Sequence, residues 1–187
     1  MKNIKYSILA LATITGTLFT SCSSDDDAAP VVVNEEEVIT TVTVTLAPIT
    51  GETITLTSRD LDGDGPDSPV LTVSGNLAAN TTYNGSVVLL NETESPAENI
   101  TTEVEEEDDE HQFFYTVGGG LNVTTDGFNL DGNGNILGTT FMLTTGAAST
   151  GTYTVTLRHE PTKPNTGLGD AGGETDVSAT FTNVTIQ

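Results

Sequence analysis

Residues 38–46 read Val-Ile-Thr-Thr-Val-Thr-Val-Thr-Leu, and this alternation of threonine with aliphatic residues leaves little choice of local structure. β-Branched side chains are stiff about χ1 and suit a pleated strand better than a helix. A period of two sends one set to each face, so an aliphatic face is buried while a hydroxyl face meets water. The pattern returns at residues 52–58, 70–74, 83–91, 112–117, 121–124, 139–145, 152–159 and 177–186, with Gly, Asn, Asp and Pro clustered between them. Those four residues are turn formers. Eight or nine short strands so punctuated predict an all-β domain over residues 37–187, a β-sandwich of immunoglobulin-like type.

One segment departs from the pattern. Ser95-Pro96-Ala97-Glu98 has the outline of a capping box with proline at the first helical position, and Ala97, Ile100 and Val104 follow at helical spacing. A short helix over about residues 96–108 is expected. Acids from Glu103 to Glu110 crowd its carboxyl end, where the helix dipole disfavours negative charge. Fraying or a bound cation would relieve that conflict.

The first 21 residues have a different character. Lys2 and Lys5 give a positive start, residues 8–19 an apolar stretch, and Thr20-Ser21 a small-residue exit, the three zones of a signal peptide. The apolar stretch falls short of the roughly 20 residues of a membrane span, and aspartates rather than basic residues follow it. The exit Phe19-Thr20-Ser21-Cys22 resembles the lipobox of bacterial lipoproteins, with Phe where Leu is usual. That resemblance implies cleavage before Cys22 and a lipid on its thiol. Several acyl chains, at about 0.8 kcal/mol per buried CH₂, hold where one is marginal. Cys22 is the only cysteine, so it has no disulfide partner within the chain. Ser23, Ser24, Asp25, Asp26 and Asp27 come next and look like the export signal by which Bacteroidota-type lipoproteins reach the outer face of the outer membrane. Residues 22–36 have almost nothing to bury and read as an acidic tether; extended at about 3.3 Å per residue it reaches on the order of 50 Å.

Charge narrows the partners. Cleavage removes Lys2 and Lys5 and no acid, taking the net charge from −22 by two to −24, and the length from 187 by 21 to 166. Only Arg59, Arg158 and Lys163 remain basic. Nucleic acid is excluded, because phosphate binding needs a basic face, whereas cations and basic protein surfaces are favoured. The chain has no Trp and few other aromatics, which counts against the stacking platforms of carbohydrate-binding modules.

Two kinds of cation site suggest themselves. Asp60-Leu61-Asp62-Gly63-Asp64-Gly65 matches the opening of an EF-hand-like calcium loop, with Asp67 available to complete the shell. The twelfth place is Leu71 rather than a bidentate Glu, so an Asp-Gly hairpin turn explains the same residues without metal. Residues 129–135 repeat the outline with amides replacing carboxylates, and a turn is the simpler reading there. The second kind involves His111 and His159, each in phase with an apolar set, Phe113 and Tyr115 in one case and Tyr153, Val155 and Leu157 in the other. If their strands pair antiparallel, the two imidazoles meet at the sandwich rim with Asp109, Glu110 or Glu160 in reach. Two histidines with a carboxylate suit zinc or another divalent transition metal. Two ordinary rim histidines are the alternative. No nucleophile elbow is present and no carboxylate pair stands out, so the chain is not read as an enzyme.

From residue 22 onward the chain resembles a group of short, acidic Bacteroidota-type surface lipoproteins through the stretches RDLDGDG at residues 59–65, EEDDEHQFFY at 106–115 and LRHEP at 157–161. Members are sometimes labelled type 1 periplasmic binding fold, an architecture of two α/β lobes about twice this length that a β-rich chain cannot build. The resemblance implies a TonB-dependent outer-membrane receptor as partner. The expected function is a lipid-anchored cell-surface module that binds a divalent cation or cation-bearing ligand and serves such a receptor. A structural or adhesive surface protein stiffened by calcium is the alternative. On the lipobox reading, Cys22→Ala abolishes incorporation of a fatty-acid probe; label retained on the mutant protein would refute the anchor.

Overall fold

In the first strand, β1 (Thr41–Pro48), Val42, Val44 and Leu46 are buried while Thr43 and Thr45 stand half-exposed between them, as the alternation requires. The computed structural model describes residues 37–63 and 65–187. β1 is followed by β2 (Ile54–Arg59), β3 (Val70–Val73), β4 (Thr82–Asn91), β5 (Glu98–Asn99), α1 (Ile100–Glu106), β6 (His111–Gly118), β7 (Val123–Asp126), β8 (Thr140–Thr145), β9 (Ser149–His159) and β10 (Glu174–Ile186). They form an all-β sandwich of two antiparallel sheets. The larger runs β3-β2-β1-β4-β8-β7 with β5 attached to β4, and the smaller runs β10-β9-β6. Ten strands among the described residues replace the expected eight or nine because the two-residue β5 is too short to show periodicity.

Val44, Leu56, Leu89 and Leu143 of the larger sheet join Phe113, Leu157 and Phe181 of the smaller in one buried apolar cluster. Threonines on the outward faces pair across strands: Thr154 with Thr180 at 3.0 Å, Thr150 with Thr185 at 3.2 Å, and Thr82 with Thr144 at 3.2 Å. Such cross-strand pairs stabilise a sheet by roughly 0.2–1 kcal/mol each, so the threonines contribute on the side that faces water. Gly85 of β4 lies opposite Phe141 of β8, whose ring occupies the space a Cβ would need.

The helix is shorter than its sequence signals imply. It starts at Ile100, with Asn99 rather than Ser95 as its cap: the Asn99 side chain accepts the Thr101 N–H at 3.2 Å. Glu98 and Asn99 are claimed first by β4, pairing with Asn91 and Leu90, and this tertiary pairing overrides the local capping box. Ala97 is exposed, whereas Ile100 and Val104 reach the core. The carboxyl end stops at Glu106 with Glu107 as C-cap, two residues before the expected Asp108.

Two irregularities interrupt β10. Its register against β9 shifts between Thr175 and Val177 and again between Phe181 and Val184. The first shift leaves Asp176 as an extra residue, and a bulge of this kind re-aims a side chain. No helix among the described residues is long and apolar enough to cross a membrane.

Candidate metal centre

Antiparallel pairing of β6 with β9 sets His111 directly opposite His159, and the ring centroids are 4.6 Å apart. Both point inward, because each shares the parity of the buried Phe113 or Leu157. The bulge in β10 turns Asp176 toward them, and Glu37, just ahead of β1, arrives from the other sheet. One donor atom each from Glu37, His111, His159 and Asp176 lies within 4.8 Å of all the others. The side chains of His111 and Asp176 are 0% and 1% exposed, those of Glu37 and His159 4% and 6%.

The contacts resolve into a donor arrangement. His111 Nδ1 lies 3.1 Å from the Glu107 carbonyl at the C-cap of α1. A carbonyl only accepts, so Nδ1 carries the hydrogen, and Nε2 faces the cluster, 2.9 Å from Glu37 Oε1. His159 Nδ1 lies 3.6 Å from Glu37 Oε2 and 3.9 Å from Asp176 Oδ1. A tetrahedral zinc with bonds of about 2.0–2.1 Å sets its donors about 3.3 Å apart, and these separations straddle that value. Glu37 Oε2 is buried and accepts no hydrogen bond among the described residues. The Nδ1–H to carbonyl bond of His111 fixes the ring orientation, as outer contacts do for metal-binding imidazoles in general.

The electrostatics favour a cation. Burial works against the charged form of His111, but the hydrogen bonds to Glu37 and to the Glu107 carbonyl, with the charges of Glu37 and Asp176, outweigh it and raise its pKa. Burial likewise pushes the Glu37 carboxyl up, yet the bond from His111 and the nearby imidazoles bring it below its ordinary value. Glu103 is raised by burial and then by the charges of Glu37, Glu107 and Glu98. The carboxylates of the cluster thus favour positive charge beside His111.

Of the acids expected near the histidines, Glu110 and Glu160 form a second, outer group with His159, Glu110 Oε2 lying 3.8 Å from His159 Nε2. Asp109 is exposed and stands in neither group. Glu37 and Asp176 take the inner places instead. Strict alternation from Val177 would turn Asp176 to solvent, and only the bulge reverses it. Glu37 ends a run of three glutamates in which nothing marks one as inward-facing.

The calcium-like loop joins β2 to β3. Asp62 accepts the Asp67 N–H at 3.3 Å and its carbonyl accepts the Gly65 N–H at 2.9 Å, which is turn bonding. Asp62 and Asp67 are exposed, and among the described residues Asp60, Asp62 and Asp67 form no three-donor group. Asp64 lies outside the described residues, as do the signal peptide, Cys22, the export signal Ser23, Ser24, Asp25, Asp26 and Asp27, and the tether through residue 36. In the second loop, Asp131 accepts the Asn133 and Asn135 N–H groups at 3.0 and 2.8 Å and has a lysine beside it. Lys163 Nζ lies 3.0 Å from Asp131 Oδ2 and donates to the Asp108 carbonyl at 2.7 Å.

Comparison of the chain with protein-family models, with curated proteins and with solved structures finds no match.

Burial tends to raise the Asp131 carboxyl, but Lys163 and the backbone donors hold it below its ordinary 3.8. A depressed folded-state pKa stabilises the fold above the unfolded value, and that contribution is lost as pH falls through the folded one. Lys163→Met, which leaves a buried acceptor short of its donor, therefore costs about 1–3 kcal/mol in urea unfolding at neutral pH. That difference shrinks as pH drops below about 4. A pH-independent difference would assign the loss to packing of the lysine stem.

Proposed function

We propose that this chain is a metal-holding module, and that Glu37, His111, His159 and Asp176 take up a divalent transition metal, zinc fitting best. The observation that carries the reading is the buried two-histidine, two-carboxylate donor set, with a carboxylate oxygen of Glu37 that lacks a hydrogen-bond donor among the described residues. Two neutral imidazoles and two carboxylates supply two negative charges, which a divalent ion neutralises. Mixed nitrogen and oxygen donors within 4.8 Å of one another suit zinc, whereas calcium prefers six to eight oxygens and copper(I) prefers sulfur. Four protein donors fill a tetrahedral shell and leave no position for a reacting water, so the arrangement suits holding an ion rather than hydrolysis.

Sequence features support a setting for this module. The lipobox-like Phe19-Thr20-Ser21-Cys22 and the acidic run after it support a lipid-anchored protein facing outward from the outer membrane. The resemblance to acidic surface lipoproteins supports a TonB-dependent receptor as the recipient of the ion. Net charge far below zero draws cations toward such a surface.

Titration calorimetry with zinc in excess calcium tests the reading. One ion binds per chain, and His111→Ala and His159→Ala each weaken it by more than about 100-fold, since even outer-shell changes cost 10–100-fold. Because a proton on His111 Nε2 competes with the ion, affinity falls as pH drops below the raised imidazole pKa, approaching about tenfold per pH unit for one proton. Equal affinity in wild type and both variants, or zinc displaced by calcium, would refute the site.

A further inference from the structure

A buried ion needs a way in, and the surroundings of the cluster offer two. On one side His159 turns Nε2 outward to the exposed Glu110 and Glu160, but its ring stands between these acids and the inner donors, which it meets through Nδ1. On the other side lies a cavity of about 530 Å³ whose lining includes Glu37 and Asp176 themselves. Those two carboxylates are almost wholly buried, whereas Asp62 and Gly63 of the same lining are exposed and Asp60 is half-buried. The cavity therefore runs from the β2–β3 loop to the donor set, with acids at both ends. Glu37, which lines this cavity, has an Oε2 that is buried and accepts no hydrogen bond among the described residues.

We infer that this cavity is the port by which a divalent cation reaches the cluster, and that Asp60 and Asp62 at its mouth capture the ion and speed its passage to Glu37 and Asp176. The inference rests on the metal-centre reading and assigns a role to carboxylates that form no three-donor group among the described residues. A cleft lined by one sign of charge between low-dielectric walls raises the local counter-ion concentration and the on-rate. Backbone position at the mouth is independent of the acids' charge: the Asp60 N–H bonds the Thr40 carbonyl at 2.7 Å, and an Asn at 62 can still accept the Asp67 N–H. Amide substitutions there remove charge without removing the turn.

Stopped-flow mixing of zinc with the purified protein gives the on-rate, and a chase with excess chelator gives the off-rate. Asp60→Asn combined with Asp62→Asn lowers the on-rate about 5- to 10-fold at low salt, flattens its ionic-strength dependence and leaves the off-rate unchanged. Glu110→Gln combined with Glu160→Gln leaves the on-rate near wild type. Tight zinc binding with an unchanged on-rate in the first pair, or with the larger loss in the second, overturns the port while leaving the metal centre intact. A wild-type protein that takes up no zinc removes both.

Discussion

The register between β6 and β9 is the constraint on which the rest of the site depends. His111 faces His159 only in this pairing, and a slip of one residue would send either ring to the opposite face of the sheet. The register is fixed by the neighbouring pairs: Phe113 opposite Leu157 and Tyr115 opposite Val155 must all face the sandwich interior. The apolar core and the imidazole pair are thus one decision. A sequence that packs these strands correctly also brings two nitrogen ligands together at the strand ends.

Placing charge there is costly unless it is compensated. Removing a carboxylate or an imidazolium from water costs several kcal/mol per ion, and the inner cluster contains two of the first and up to two of the second. The molecule balances a comparable problem elsewhere with its own side chain, since Asp131 is met by the Lys163 ammonium. Among the described residues, the ion-pair partners of Glu37 are instead the imidazoles of His111 and His159. The two acidic settings differ in kind: one is closed by the chain, and the other suits a cation from outside.

Legibility in the sequence follows the range of the interactions. Alternation of Thr with Val and Leu is a local property, and it marks the strands to within a few residues. The in-phase placement of His111 and His159 is also local, and antiparallel pairing does bring the rings together. Asp176 is hidden because it breaks the alternation through a bulge, a feature set by the fit of β10 against β9. A carboxylate directly before Val177, in a strand otherwise rich in Thr, Ser and Ala after its opening Glu174, is the signal that singles it out in retrospect. Glu37 is hidden because it joins the cluster from the other sheet, which no local pattern encodes. The helix starts later than its local signals for a related reason: Ser95-Pro96 is a good local cap, but Glu98 and Asn99 gain more from pairing with β4. At the Asp60 loop the calcium-like spacing is legible, and among the described residues Asp62 takes part in turn bonding, while Asp64 lies outside them.

Whether zinc binds, and where, is the decisive point. Zinc-edge anomalous diffraction from crystals of the zinc-loaded protein locates the ion directly. The expected result is a single strong peak bonded to Glu37, His111 Nε2, His159 Nδ1 and Asp176 at about 2.0–2.1 Å. A peak at the Asp60 loop or between Glu110 and Glu160, with the inner four donors left as they are, would contradict it.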